Sequence, residues 1–146
     1  KIIKNVETIN SFYKKKLKKK PKFAITGLNP HCETNKNYSE EEKIIIPAIK
    51  KIRKKNINVE GPFAADTLFL KKNINRFNVI IGMYHDQVLT PIKTLYGFKA
   101  INITLGLPFL RITPDHGPNN FFLGKNKSDP SSVIEIFKFL RQISEN

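Results

Sequence analysis

Apolar and polar positions alternate along this chain with two periods. In residues 1–13, Ile2, Ile3, Val6, Ile9, Phe12 and Tyr13 recur at helical spacing. Six lysines then surround Leu17 in residues 14–20, a solvated helix end or linker. Pro21 ends that segment, and residues 22–28 read as a buried strand closing in an Asn29-Pro30-His31 turn. Residues 35–38 read as loop. Ser39 with Glu42 forms a capping box ahead of a helix whose apolar face is Ile45, Ile46, Ala48, Ile49 and Ile52. Pro47 lies past the first turn of that helix, so a kink or a loosened start is expected. Residues 57–61 predict a short strand or extended link, Gly61-Pro62 a turn, and residues 64–70 a short helix. A strand is expected over 78–84, a helix over 87–95, a strand over 100–105 and extended chain over 106–114. A polar loop follows over 115–126. Pro130 and Ser131 open a last helix with apolar Val133, Ile136, Phe137, Leu140 and Ile143.

Strands alternating with helices predict an α/β fold with a mostly parallel sheet. The 146 residues suit one domain or half of a two-domain protein. Residues 1–20 read as a basic helix and linker, and residues 21–146 as the body. No apolar run approaches the roughly 18 residues that cross a bilayer, so no membrane association is expected. The basic start has no apolar stretch behind it and does not read as a secretory signal. A single cysteine, Cys32, excludes an internal disulfide and suits a reducing cytoplasm.

The net charge of +14 raises nucleic acid as a partner. The identity of the cations argues against it. Lysine supplies 22 of them and arginine only four, while isoleucine occurs 20 times and asparagine 15. Lysine, isoleucine and asparagine have AT-rich codons, so part of the basicity reflects genome composition. Arginine is the residue that grips bases and phosphates with two parallel bonds, and it is scarce here. A basic module using residues 14–20 to hold a polyanion stays open as an alternative.

Ligands of open α/β sheets bind at the carboxyl ends of strands. Those ends deliver Asn29 and His31, then His85, Asp86 and Gln87, then Thr104 with Asn102 inside the strand. The spacing of His31 and His85 matches no local metal motif, so a metal site would be assembled in space, with Asp66 and Asp86 as the nearest carboxylates. Imidazole and carboxylate without thiolate suit a divalent ion such as zinc, cobalt, manganese or magnesium. Asp66 could instead cap a short helix. Lys93 and Arg111 lie in uncharged stretches, where each could clamp an anion or snorkel from the core edge. Cys32 is a candidate thiolate beside His31, or a small hydrophobe. A hydrolase using a metal-bound water is a further alternative.

Five motifs occur in order: Gly27-Leu-Asn-Pro-His31, Gly61-Pro-x-Ala-Ala-Asp-Thr-Leu-Phe69, Met83-Tyr-His-Asp-Gln87, Asn102-Ile-Thr-Leu-Gly-Leu-Pro-Phe-Leu-Arg111 and Asp115-His-Gly117. Together they resemble 4-hydroxythreonine-4-phosphate dehydrogenase of pyridoxal phosphate biosynthesis. The resemblance runs from about Phe23 to the C-terminus and implies a three-layer fold like that of the isocitrate and isopropylmalate dehydrogenases, here incomplete, with residues 21–146 as a C-terminal portion. It implies NAD- or NADP-dependent oxidation of 4-phosphohydroxy-L-threonine to 2-amino-3-oxo-4-phosphooxybutanoate, which loses carbon dioxide to give 3-amino-2-oxopropyl phosphate.

By the same resemblance His31 and His85 bind a divalent metal (zinc, magnesium or cobalt), and Lys93, Asn102 and Arg111 hold the phosphorylated substrate. Asp66 and Asp86 line that site, and His116, Gly124 and Asp129 contact the nicotinamide nucleotide. Family members are roughly twice as long and form homodimers with the site between subunits. Their other half carries a third metal-binding histidine and a His-Thr substrate pair. This sequence departs from the family in the glycine-free stretch 32–38 and in Pro118, where a threonine is usual.

Overall fold

The computed structural model describes residues 1–32, 39–118 and 120–145; the expected loop 35–38 and most of the glycine-free stretch lie outside them. The chain divides into two compact units, Lys1–Pro91 and Ile92–Asn146. The first holds α1 (Ile2–Lys16), β1 (Phe23–Thr26), α2 (Ile46–Arg53), β2 (Val59–Phe63), α3 (Ala65–Leu68), α4 (Lys71–Ile74) and β3 (Val79–Ile81). Helix α5 (Asp86–Tyr96) contains the division at Pro91. The second unit continues with β4 (Ile101–Thr104), β5 (Arg111–Pro114) and α6 (Ser131–Ser144).

In the first unit β1 is the middle strand of a parallel sheet ordered β2-β1-β3. All four of its residues are buried, which is why Phe-Ala-Ile-Thr reads as a continuous run rather than an alternation. Phe23 and Ile25 join Val6 of α1, Ile49 and Ile52 of α2, and Ile45, Ile57 and Val59 in one core. The loosened start expected before Pro47 is present: Glu41–Ile45 winds as a π-turn that runs directly into α2, and Pro47 falls in the first turn of α2. The Ser39 hydroxyl accepts the Glu42 amide at 3.3 Å, one half of the expected capping box.

Gly61-Pro62 is not a turn; it lies inside β2. The proline is tolerated because β2 is an edge strand. The pairing of β2 with β1 is irregular there, and a side chain at Gly61 would meet the Ile25 carbonyl oxygen at 2.5 Å. With φ at +138°, the position needs glycine on both counts. The helix expected over 64–70 is shorter, with a separate turn α4 after it.

An ion cluster closes the sheet edges. Glu60 of β2 meets Lys22 at 2.6 Å and Arg76 at 3.0 Å, and both cations lie over the Phe77 ring. The hydrogen bond from Lys22, and then the charges of Lys22, Arg76 and Arg53, hold the Glu60 carboxyl below its ordinary value against a smaller opposing effect of burial.

The second unit is an antiparallel pair, with Ile101 opposite Pro114 and Thr104 opposite Arg111. Among the described residues these strands pair only with each other, the antiparallel part of a mixed set of strands. Helix α6 packs on the pair through Ser132, which is almost fully buried. Its hydroxyl donates to the Ala100 carbonyl at 2.6 Å and accepts the Asp115 amide at 3.3 Å. The buried apolar side chains of the described residues all belong to the first unit. In the second, Phe109, Phe121, Leu123 and Phe137 are 64 to 84 % exposed. No described helix is long and apolar enough to cross a membrane.

Two outcomes follow for the stability of the native-length protein. The lowered Glu60 value means that its contribution is present above the ordinary glutamate pKa of about 4.3 and is lost as pH falls through the folded-state value. Glu60→Gln is therefore expected to be less stable at neutral pH by about 1 kcal/mol or less, with the gap closing in acid, read from urea midpoints across pH. Ser132→Ala leaves a carbonyl and an amide unpaired. It is expected to cost about 1–3 kcal/mol and to speed hydrogen exchange at the Asp115 amide.

Candidate functional site

The candidate residues fall into two groups, one in each unit. In the first unit β1 and β3 are parallel neighbours, so their carboxyl ends lie side by side. His31 follows β1, and its amide donates to the Asn29 side chain at 2.9 Å, a local asparagine turn. The Asn29 amide in turn donates to Glu41 Oε1 at 2.7 Å. Glu41 has no exposure, and its second oxygen has no hydrogen-bond partner among the described residues. His85 follows β3, and its carbonyl accepts the Val88 and Leu89 amides, so it stands at the head of α5. Asp86 is in the first turn of that helix, where a negative charge is favourable. Its Oδ1 lies 2.7 Å from His85 Nδ1. That contact orients the imidazole and leaves Nε2 open, the usual arrangement behind a metal-binding histidine.

Gln87 ties the two strand ends together. Its Oε1 accepts the Thr26 hydroxyl at 2.7 Å and the Met83 amide at 2.8 Å, and its Nε2 donates to the Gly27 carbonyl at 2.7 Å. The Thr26 hydroxyl also lies 3.3 Å from the Ile81 carbonyl.

Asp66 does not cap α3. The capping position is Ala64, and Asp66 is exposed within the first turn. Its charge reaches Cys32, which places it near the His31 turn. Burial, and then the charges of Glu41 and Asp66, push the Cys32 thiol up, against a hydrogen bond with Gly27 that lowers it. A raised thiol holds less thiolate at neutral pH, which favours the small-hydrophobe reading of Cys32. Asp86 and Asp66 thus both accompany the histidine turns.

The donors at these turns fit a divalent ion, with imidazoles and a carboxylate to orient one of them. They form a partial set, because no three His, Cys, Asp or Glu side chains among the described residues come together as a metal cluster.

In the second unit Asn102 and Thr104 alternate onto one face of β4, and Arg111 lies opposite Thr104. Arg111 Nη1 donates to the Thr104 hydroxyl at 3.1 Å, so the guanidinium is held on its cross-strand neighbour. Lys93 is not a free cation. It pairs with Asp115 at 3.1 Å, and Asp115 is itself placed by Ser132.

A cavity of about 320 Å³ is lined by Phe98, His116, Phe122 and Asp129, among others. The His116 ring meets Phe98 edge-on, with centroids 6.2 Å apart. Asp129 accepts the Ser131 amide at 2.8 Å at the start of α6. The Ser131 hydroxyl and amide hold its carboxyl below the usual range. The cavity lining is partly aromatic and carries one carboxylate and one imidazole. Gly124 adopts a positive φ of +73° in the following turn and is not part of the cavity lining.

Sequence reasoning put Gln87 among the strand-end candidates without assigning what it does, and gave no site role to Glu41, Phe98 or Phe122. Gln87 carried a signal in its position, a neutral amide directly after His-Asp at a helix start. Glu41 carried none, since its neighbours Glu40 and Glu42 look identical on paper.

Comparison with known proteins places these features in a family. The profile described as "Pyridoxal phosphate biosynthetic protein PdxA" matches residues 1–140. A 4-hydroxythreonine-4-phosphate dehydrogenase from Sulfurihydrogenibium sp. (strain YO3AOP1) is 49 % identical over 137 residues, 92 % of this chain and 42 % of that protein. A crystal structure of 4-hydroxythreonine-4-phosphate dehydrogenase from Klebsiella pneumoniae superposes with a TM-score of 0.79 at 30 % identity, over 97 % of this chain and 44 % of that one. A terephthalate 1,2-cis-dihydrodiol dehydrogenase from Burkholderia xenovorans LB400 shares the fold, with a TM-score of 0.71 at 22 % identity, over 97 % of this chain and 45 % of that one. The chain spans less than half the length of these relatives, and its fold is that of the isocitrate and isopropylmalate dehydrogenases. It belongs to the pyridoxal phosphate biosynthetic protein PdxA family.

Proposed function

We propose that this chain is the C-terminal portion of an NAD- or NADP-dependent dehydrogenase that oxidises 4-phosphohydroxy-L-threonine. The observation that supports this best is the Asn102, Thr104 and Arg111 face. It offers an amide, a hydroxyl and a guanidinium already oriented by a neighbouring side chain, donors suited to a phosphate or carboxylate. The phosphorylated hydroxy acid binds through these groups and Lys93. The substrate's hydroxyl-bearing carbon gives up a hydride and its oxygen a proton. The 2-amino-3-oxo-4-phosphooxybutanoate so formed loses carbon dioxide to give 3-amino-2-oxopropyl phosphate.

His31 and His85 would hold a zinc, magnesium or cobalt ion, which when bound lowers the pKa of the substrate hydroxyl. The missing ligand comes from outside the described residues. Asp86 orients His85, and Asp66 adds negative charge near the His31 turn. His116 and Asp129 hold the nucleotide's base, with Gly124 shaping the turn beside them. When bound, the nicotinamide nucleotide would supply the hydride acceptor.

The exposed Phe109, Phe121 and Phe137 are the kind of surface an interface covers, and they support assembly as a homodimer with further protein against this unit. A lone free thiol suits the cytoplasm.

The test uses native-length protein and follows the absorbance of reduced nicotinamide with 4-phosphohydroxy-L-threonine and either NAD or NADP. Substrate-dependent reduction is expected. Arg111→Ala is expected to raise KM for the phosphorylated substrate about 10- to 100-fold, the worth of a charged hydrogen bond. No reduction with either nucleotide would refute the proposal.

A further inference from the structure

We propose that Gln87 is a positioning residue, whose buried amide sets the spacing of the His31 and His85 turns. The inference rests on reading those histidines as metal ligands. Gln87 is only 6 % exposed, and its three hydrogen bonds are 2.7 to 2.8 Å long. Their targets are what distinguish it from an ordinary buried polar residue. Thr26 and Gly27 end β1, four residues or fewer before the Asn29–His31 turn. Met83 follows β3, two residues before His85. One side chain therefore bridges both strand ends at the point where each chain turns toward its histidine.

The chemistry requires an amide. The site presents two donors, the Thr26 hydroxyl and the Met83 amide, to one atom of the side chain. It presents one acceptor, the Gly27 carbonyl, to the other. A glutamate keeps the acceptor but turns a second oxygen toward the Gly27 carbonyl. A methionine keeps the length and makes none of the bonds. Below Gly27 the linkage continues, because Glu41 holds the Asn29 amide and Asn29 holds the His31 amide. On the other side Gln87 is the residue after Asp86, which orients the His85 ring. A shift of Gln87 thus moves both candidate ligands relative to each other, while a shift of a core residue such as Ile52 moves neither directly.

The experiment titrates cobalt(II) into native-length protein and its variants and reads the visible absorption bands, with thermal melting recorded in parallel. Gln87→Met and Gln87→Glu are each expected to weaken cobalt binding about 10-fold or more and to change the band shape. Ile52→Ala lowers the melting temperature and is expected to leave affinity and bands unchanged. Gln87→Glu serves where Gln87→Met fails to fold, since it keeps two of the three bonds. Gln87 variants that melt lower but bind cobalt as the wild type does would overturn the proposal and leave Gln87 a structural residue. Wild-type binding that is indifferent to His31→Ala and His85→Ala would overturn the metal reading, and this inference with it.

Discussion

Strand β1 pairs on both edges and has no water on any of its four residues. That constraint orders the rest of the first unit. A strand buried in this way must be apolar along its length, and polar groups that emerge at its end must find partners inside the protein. Thr26 and the Gly27 carbonyl find them in Gln87, and the Asn29 amide finds one in Glu41. The same constraint excludes a side chain at Gly61, which packs against the Ile25 backbone. The carboxyl end of β1 is consequently a rigid platform. His31 leaves from it, and His85 leaves from the neighbouring strand fastened to it.

The second unit solves a different problem. Its antiparallel pair packs against α6 and has no buried apolar residue among those described. What order it has at the site comes from polar contacts. Ser132 joins α6 to both strands, Asp115 holds Lys93, and Thr104 holds Arg111. Cations fixed in this way lose less rotamer freedom when an anion arrives, which is the advantage of preorganisation. The Lys93–Asp115 ion pair offsets the lysine's charge, whereas Arg111 meets only the neutral Thr104 hydroxyl among the contacts described.

Much of this was legible in the residues. The buried run of β1, the helical spacing of α1 and α6, and the proline-loosened start of α2 each follow from local chemistry that the tertiary structure leaves intact. The placement of His31 and His85 at adjacent strand ends followed from the α/β rule alone. Gly61-Pro62 misled because a Gly-Pro pair usually marks a turn, and only the identity of β2 as an edge strand makes it tolerable there. The capping reading of Asp66 failed because the helix begins two residues earlier than that role required. Gln87 was placed at a strand end, but what it and Glu41 hold was not legible, because the Thr26, Gly27 and Asn29 partners lie 12 to 61 residues away, a relation that no local pattern encodes.

The central claim is that the His31 and His85 turns share one metal ion. Anomalous X-ray scattering at the zinc edge, from crystals of the native-length protein grown with zinc, tests it most directly. The account predicts a single strong peak about 2.0–2.1 Å from a ring nitrogen of each histidine, with a further ligand from outside this chain's described residues. A zinc peak bound elsewhere, or bound to one of these histidines and not the other, would contradict it.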